Sequence, residues 1–324
     1  MKKIILTALV AGSAAALLLF VHITWQALQG YSVIVPRQEV SLQTNGSRLV
    51  FISGDAGSPF WHEVRKGVAG AAAKQGIAID FREPFPASSS EYLKQMDMSI
   101  AAKVDGIIVQ GEDTPEFVQM VSKASQKGIP VITVVTDAPD SLRKTYVGAD
   151  HFREGVTLGE RIATDLKGTG MVAIVNGSKA ANFQQLRKQG LKEAFAKHPD
   201  MELKKIAYKE VKGNLSDYET NELLNQYPEC RTFIGLTAEA GSSIMKIVKT
   251  RGRLQDFAIY VFDESPEMTK GLQDGLISAM LQQHPQQIGA KSVQLLLDWL
   301  EGRTVPLALN YYTPVKMMTR GEQR

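Results

Sequence analysis

From residue 48 onward, the sequence predicts an α/β fold with two doubly wound parallel-sheet lobes. Short runs rich in β-branched residues alternate with amphipathic stretches of helical period, the pattern of strand–helix–strand units with helices on both faces of a parallel sheet. These runs are too numerous for one small sheet, and 324 residues are sufficient for two domains of ordinary size. The predicted strands are Leu49–Ser53, Ile77–Phe81, Gly106–Gln110, Val131–Thr136, Met171–Asn176, Ile206–Val211, Thr232–Leu236, Ala258–Phe262 and Leu276–Leu281.

The predicted helices carry start and stop signals between these strands. Ser88 before Glu91, and Thr114 before a proline, are predicted N-caps. Helix ends just before the next strand are predicted at Gly76, Gly128 and Gly168. The segment Tyr146–Asp150 lies between the fourth and fifth predicted strands, where the first lobe would end and the second begin.

The amino terminus predicts a membrane anchor. Lys2 and Lys3 precede an uncharged, mostly apolar stretch that begins at Ile4 and continues to Trp25, about the length that crosses a bilayer as a helix. The lysines favour the cytoplasmic side, which places the rest of the chain outside the cell membrane. We therefore predict residues 1–28 as an uncleaved single-pass anchor and residues 29–47 as a tether. A cleavable secretory signal is the alternative, although the alanines that cleavage would need lie inside the apolar core.

Composition and missing motifs exclude several function classes. The 37 basic and 34 acidic side chains give a net charge of +3, too mild a balance to argue for nucleic acid. Cys230 is the single cysteine, so no intramolecular disulfide or cysteine-rich metal cluster can form. The five histidines lack metal-ligand spacing. No dinucleotide fingerprint, phosphate loop or nucleophile elbow is present. We therefore predict no enzymatic activity, cofactor or metal.

A short run after the first predicted strand indicates a binding site. Leu49–Ser53 is followed by Gly54-Asp55-Ala56-Gly57 and by Ser58-Pro59-Phe60-Trp61, which opens a helix. Ligands of open α/β sheets bind outside the carboxyl ends of the strands. Flat apolar rings beside short polar groups suit a ligand such as a sugar. The alternative is that Phe60 and Trp61 only pack the helix onto the sheet.

Several fragments, in order, resemble the bacterial extracytoplasmic sugar-binding proteins of the ribose-binding type. This family shares its ligand domain with the repressors of the lactose-repressor family, and the resemblance covers residues 48 to about 319. The fragments are Ser58-Pro59-Phe60-Trp61, Val104-Asp105-Gly106-Ile107-Ile108-Val109, Ile129-Pro130-Val131-Ile132-Thr133, Asp137-Ala138-Pro139-Asp140-Ser141, Tyr146-Val147-Gly148-Ala149-Asp150, Val261-Phe262-Asp263 and Gln282-Gln283-His284-Pro285-Gln286-Gln287-Ile288-Gly289.

The resemblance implies two lobes that are joined by a three-crossover hinge and close on a ligand. It implies an amino-terminal lobe of residues 48–150 and 284–311, and a carboxyl-terminal lobe of residues 151–283 and 312–319. The ligand would be a small polar molecule, most simply a sugar or sugar-like molecule, held between the lobes without chemical change.

The resemblance also implies which residues contact the ligand. Asp55, Ser58, Phe60 and Trp61 would lie on the amino-terminal side. In the other lobe, Asp263 matches the family's acceptor of sugar hydroxyls, since a carboxylate accepts two hydroxyl protons in strong charge-assisted bonds. Asp263 as a helix N-cap is the alternative. Gln283 matches a hinge amide that donates and accepts, and its alternative is a solvated loop residue.

The sequence departs from the family after the fourth predicted strand. Val135-Thr136-Asp137 stands where the family often has acidic residues. A hydroxyl acceptor is therefore lost at Val135, unless Asp137 turns in to replace it.

Two further departures fall in the second lobe. The family's arginine aligns best with Gln185, and Asn182 and Arg187 are near enough to compete. The family's asparagine after the seventh strand aligns with Thr237. Each lost charge-assisted bond would be worth roughly 1.5–3 kcal/mol. The predicted ligand is therefore not ribose but a differently hydroxylated sugar, a deoxy sugar or another small polar molecule.

Two partners fit such a protein. The domain could deliver its solute to the membrane permease of an ABC-type importer, or act as an anchored co-receptor that signals ligand occupancy to a sensor histidine kinase. A short tether behind a spanning helix favours a fixed partner. A DNA-binding regulator is excluded, because the repressors of this fold carry a helix-turn-helix where this chain has its apolar segment.

Overall fold

Two six-stranded sheets organise the computed structural model, which describes residues 47–54, 59–84, 88–177, 182–206, 213–252 and 254–320. The amino-terminal sheet has the order β11-β5-β4-β3-β1-β2, and all its strand pairs are parallel. Its strands are β1 Leu49–Ile52, β2 Ile79–Arg82, β3 Gly106–Gln110, β4 Val131–Val134, β5 Thr145–Gly148 and β11 Asn310–Tyr312. The associated helices are α1 Pro59–Lys74, α2 Ser89–Ala101, α3 Pro115–Gln126 and α9 Pro285–Leu300.

The carboxyl-terminal sheet repeats this arrangement with the order β12-β10-β9-β8-β6-β7. β12 is antiparallel to β10, and the other strand pairs described in this sheet are parallel. The strands are β6 Thr169–Val175, β7 Asp200–Lys204, β8 Thr232–Gly235, β9 Ala258–Phe262, β10 Ala279–Gln282 and β12 Lys316–Thr319. The helices are α4 His151–Asp165, α5 Asn182–Phe195, α6 Leu215–Gln226, α7 Ala238–Arg251 and α8 Pro266–Gln273, with a 3₁₀ turn at Leu254–Asp256.

Within the described residues, the chain passes from one sheet to the other three times. The first passage joins β5 to α4, the second joins β10 to α9, and the third joins β11 to β12. Each sheet has its own apolar core on both faces, so each forms a separate lobe. The prediction of an α/β fold with two parallel-sheet lobes is confirmed.

The local signals read from the sequence have mixed outcomes. Ser88 accepts a hydrogen bond from the Glu91 amide at 3.3 Å, and Thr114 from the Phe117 amide at 3.3 Å, so both N-caps are confirmed. The predicted strand Ile206–Val211 is wrong at Ile206, because the strand lies earlier, at Asp200–Lys204. This edge strand buries only Met201 fully, so its apolar signal is weak. Residues 207–212 lie outside the described part.

One helix pair in each lobe packs unusually closely. A Cβ on Gly67 of α1 would lie 2.1 Å from the Gln286 carbonyl oxygen of α9. In the other lobe, a Cβ on Gly190 of α5 would lie 2.1 Å from the Phe152 carbonyl oxygen of α4. Glycine is therefore required at both contacts. These pairs fix the helices that carry Trp61 and Arg187.

The predicted anchor, residues 1–28, lies outside the described residues, and so does the predicted tether except for Ser47. Among the helices that are described, none has both the length and the apolar character needed to span a bilayer.

Candidate functional site

The carboxyl ends of the strands in both lobes line a cleft of about 570 Å³. This volume falls within the ordinary range of small-molecule sites, roughly 300–1,000 Å³. Seven of the described strands contribute to the lining, each through its last residue or a residue one or two positions after it, as expected for an open parallel sheet. The contributing residues are Gly54, Gln110, Val135, Gly177, Thr237, Asp263 and Gln283.

Aromatic side chains form the apolar part of the cleft. Phe60 and Trp61, in the first turn of α1, meet edge to face with ring centroids 6.0 Å apart. Trp61 is only 7% exposed and packs against Phe51 in the core, whereas Phe60 is half-buried. Phe183 of α5 lines the cleft from the carboxyl-terminal lobe. Trp61 therefore both packs the helix and borders the cleft, and the two interpretations of the aromatic run are compatible.

Asp263 places a carboxylate at the cleft in a fixed orientation. It directly follows β9 with φ of +69°, which aspartate tolerates better than most residues. Arg187 binds it through two parallel bonds of 2.7 and 2.9 Å, and Gln283 donates its amide to the same carboxylate at 2.9 Å. The N-cap of α8 is Ser265, so the capping alternative for Asp263 is wrong. The carboxylate side chain stays 21% exposed toward the cleft, which leaves lone pairs for a ligand.

Arg187 is fully buried and neutralised on two sides. Besides Asp263, its guanidinium donates to the Glu154 carboxylate at 2.9 Å and to the Leu236 carbonyl at 2.7 Å. It also lies over the Phe262 ring, 4.6 Å from the centroid. Burial alone would lower the pKa of Arg187, but Asp263 and Glu154 raise it above its ordinary value. The guanidinium is therefore a permanent charge that orients Asp263.

The network of buried charged side chains extends from Glu154 to the segment where the polypeptide first passes from one lobe to the other. His151, the first residue of α4, contacts Glu154 through Nδ1 at 2.9 Å and the Val135 carbonyl through Nε2 at 2.9 Å. Both ring nitrogens of His151 thus face oxygen atoms of the network. Burial opposes the charge on Glu154, but Arg187 and His151 hold its pKa well below the ordinary value. Charges thus alternate from Glu154 through Arg187 to Asp263, and His151 contacts this row at Glu154.

A family model described as a periplasmic binding protein domain matches residues 49–304. The chain belongs to the periplasmic binding protein family. Its relatives are solute-binding proteins, not enzymes, and their binding domains lie outside the cytoplasm. The resemblance to the sugar-binding proteins of the ribose-binding type is therefore confirmed, and so is the prediction that the protein is not an enzyme.

Three similar proteins illustrate this membership. The ribose import binding protein RbsB of Bacillus subtilis (strain 168) is 22% identical over 289 residues, which cover 88% of this chain and 92% of that protein. GanP, a glucose-galactose binding protein from Geobacillus stearothermophilus, is 31% identical with a TM-score of 0.80, over 86% of this chain and 98% of that one. A chain of the XylFII–LytSN complex is 26% identical with a TM-score of 0.75, over 85% and 98%.

The structure of this periplasmic binding protein brings five of the predicted ligand residues to the cleft: Phe60, Trp61, Thr237, Asp263 and Gln283. Gln283 is 5% exposed and bonded to Asp263, so the alternative of a solvated loop residue is wrong. Thr237 also caps α7, since its hydroxyl accepts from the Ala240 amide at 3.2 Å. Asp55 and Ser58 lie outside the described residues. As ligand contacts, all of these residues stay predictions.

Three other predicted residues do not line the cleft. Asp137 does not line the cleft, and its carboxylate is bound by Thr133, the Ala138 amide and Arg143, so it does not replace the acceptor lost at Val135. Asn182 donates to the Asp113 carboxylate at 2.9 Å. Gln185 is exposed on α5, and Arg187, two residues later, faces Asp263.

Sequence reasoning missed Glu154, His151, Phe183 and Gln110. His151 lacks metal-ligand spacing, but its place beside the predicted lobe boundary is a signal in the sequence. A charged residue at the buried position Glu154 of an amphipathic helix was the available signal, because buried carboxylates are almost always paired.

Proposed function

We propose that this protein is an extracytoplasmic solute-binding protein that captures a neutral sugar or sugar-like molecule in the cleft and delivers it to an ABC-type importer. The observation that carries the proposal is the orientation of Asp263. Its carboxylate is fixed by Arg187 and Gln283 and remains partly exposed in a cleft that the Phe60 and Trp61 rings also line.

The two halves of this arrangement match the two sides of a sugar. A carboxylate accepts bonds from neighbouring hydroxyl groups, and ionised acceptors form bonds about twice as strong as neutral ones. Aromatic rings cover the apolar C–H face of a pyranose. The names of the relatives support this assignment, since RbsB is a ribose import binding protein and GanP a glucose-galactose binding protein.

Calorimetric titration of the purified full-length chain with a panel of aldoses, ketoses and polyols tests the proposal. We expect one group of sugars to bind and Asp263→Asn to weaken binding by about tenfold or more, because a charge-assisted bond is worth roughly 1.5–3 kcal/mol. The control is Asp274→Asn, which removes a surface carboxylate of the same lobe that pairs with Lys270. No binding by the wild type, or equal effects of the two variants, would contradict the proposal.

A second role is the anchored co-receptor that signals to a sensor histidine kinase without transport. The likeness to XylFII, whose structure is known in a complex with LytSN, supports it, as does the predicted anchor. Cross-linking in intact cells with the native full-length chain separates the two roles. Capture of a permease subunit supports delivery, and capture of a histidine kinase supports signalling.

A further inference from the structure

The backbone at Val135 adopts a conformation that valine rarely takes. Its φ is +66°, and the Thr136 amide donates to the Val134 carbonyl at 2.7 Å across it, which makes a γ-turn with positive φ at its centre. Turns of this kind are rare and strained. A β-branched residue at positive φ is an outlier, because its branched side chain crowds the backbone. Such outliers cluster at functional sites, where the surrounding structure holds them in place.

Backbone hydrogen bonds hold this turn, and none of them uses the valine side chain. The Val135 amide donates to the Val147 carbonyl at 3.1 Å. Its carbonyl accepts from the Tyr146 hydroxyl at 3.1 Å and from His151 Nε2 at 2.9 Å. Any residue could make these bonds, and asparagine or glycine would make them with less strain. The turn therefore explains the position but not the isopropyl group.

The Val135 side chain forms part of the cleft wall. Val135 is half-buried against the amino-terminal core and lines the cleft with Phe60, Trp61 and Asp263. Asp137, the nearest carboxylate in sequence, is occupied by Arg143 and does not reach this wall. The cleft thus presents an apolar branched group in the amino-terminal lobe and a carboxylate in the other.

We propose that Val135 selects a sugar that lacks a hydroxyl group at the carbon facing this wall, that is, a deoxy sugar. The inference rests on the proposed function and names the ligand class of the same cleft. A hydroxyl group directed at Val135 would lose its hydrogen bonds to water and find no acceptor on the side chain. A methyl or methylene group in the same place would gain apolar contact.

The test uses sugars in matched pairs and the full-length chain. The pairs are D-galactose with 6-deoxy-D-galactose, D-glucose with its 2-deoxy and 6-deoxy forms, and D-ribose with 2-deoxy-D-ribose. We expect the wild type to bind a deoxy member about tenfold or more tightly than its parent, since a buried hydroxyl without a partner carries a penalty of that order. Val135→Asn supplies an acceptor and should shift the preference toward the parent. Val135→Gly should lose the preference without reversing it.

Thermal unfolding without ligand supplies a readout that does not depend on the sugar. Val135→Asn should raise Tm by about 2–4 °C, because asparagine tolerates positive φ better than valine. The matched control is Lys103→Asn, also at positive φ (52°) and exposed, at the amino end of β3 away from the cleft. It should leave the sugar preference unchanged.

Two results would overturn the inference while leaving the proposed function intact. One is tighter binding of the hydroxylated parents by the wild type. The other is an unchanged preference in Val135→Asn and Val135→Gly. Failure of the wild type to bind any sugar would instead contradict the proposed function, and this inference with it.

Discussion

The two lobes place different chemistry on the same backbone geometry. β4 and β9 occupy the same position in their sheets, and the residue after each has positive φ, +66° at Val135 and +69° at Asp263. The amino-terminal lobe presents an isopropyl group there and aromatic rings nearby. The carboxyl-terminal lobe presents a carboxylate backed by a buried arginine. At these two equivalent positions the cleft therefore offers apolar contact on one side and a hydrogen-bond acceptor on the other.

The two lobes also differ in the buried residues that support the side chains of the cleft. Trp61 is supported by Phe51 in an apolar core, which requires no compensation of charge. Asp263 is supported by Arg187, and this buried cation requires Glu154, which in turn contacts His151. Buried charges are tolerated only when they are paired and hydrogen-bonded. The carboxyl-terminal lobe therefore depends on a continuous network, and removal of one member should affect the whole lobe.

The largest effect is expected from Arg187→Met. Methionine keeps much of the volume but leaves Glu154 buried without its cation, and breaking a buried ion pair in this way costs about 3–5 kcal/mol. Urea denaturation measures the loss in the free energy of unfolding. The control is Arg161→Met, whose partner Asp165 lies on an exposed face of α4 and which should cost at most about 1 kcal/mol. Equal stability of the two variants would show that Arg187 does not neutralise Glu154.

The carboxyl-terminal network also marks where sequence reasoning succeeds and where it stops. Strand periodicity was sufficient to predict the two-lobed fold, whereas a carboxylate at the cleft from Asp263 was an expectation from the family resemblance. The sequence left Arg187 as one of three candidates, because Gln185 and Arg187 are only two residues apart and yet lie on nearly opposite faces of α5. The predicted equivalent, Gln185, is exposed, whereas Arg187 is buried. The positive φ of Val135 is set by hydrogen bonds from β5 and α4, which no local pattern reveals.

A smaller effect that depends on pH is expected from Glu154→Gln. The pKa of Glu154 in the folded protein lies below its ordinary value of 4.5, so its ionised form stabilises the fold above pH 4.5. This contribution is lost as the pH falls from 4.5 toward about 2. At pH 7 the variant should be less stable by roughly 2–3 kcal/mol, since its bonds to Arg187 and His151 lose their charge.

The difference between wild type and Glu154→Gln should shrink as acid is added, because glutamine does not titrate. Urea denaturation at several pH values between 7 and 3 measures it. The comparable amino-terminal carboxylate is Asp137, which pairs with Arg143 but is 23% exposed, and Asp137→Asn is the control. A constant difference across this pH range would show that Glu154 is not the ionised centre of the network.

The smallest effect is expected at the close helix–helix contacts, which both lobes have in common. Gly67→Ala would place a methyl group against the α9 backbone, and Gly190→Ala would do the same against α4. Overpacking of this kind costs about 1–3 kcal/mol, and we expect similar losses in both lobes by thermal unfolding. Gly70→Ala is the matched control, since no atom lies within 4 Å of its added Cβ, and it should stabilise α1 by about 0.5–1 kcal/mol. Unequal losses at Gly67 and Gly190 would mean that the lobes differ in packing as well as in the chemistry at the cleft. Equal losses would confine the difference to the residues that meet the ligand and to the charges behind them.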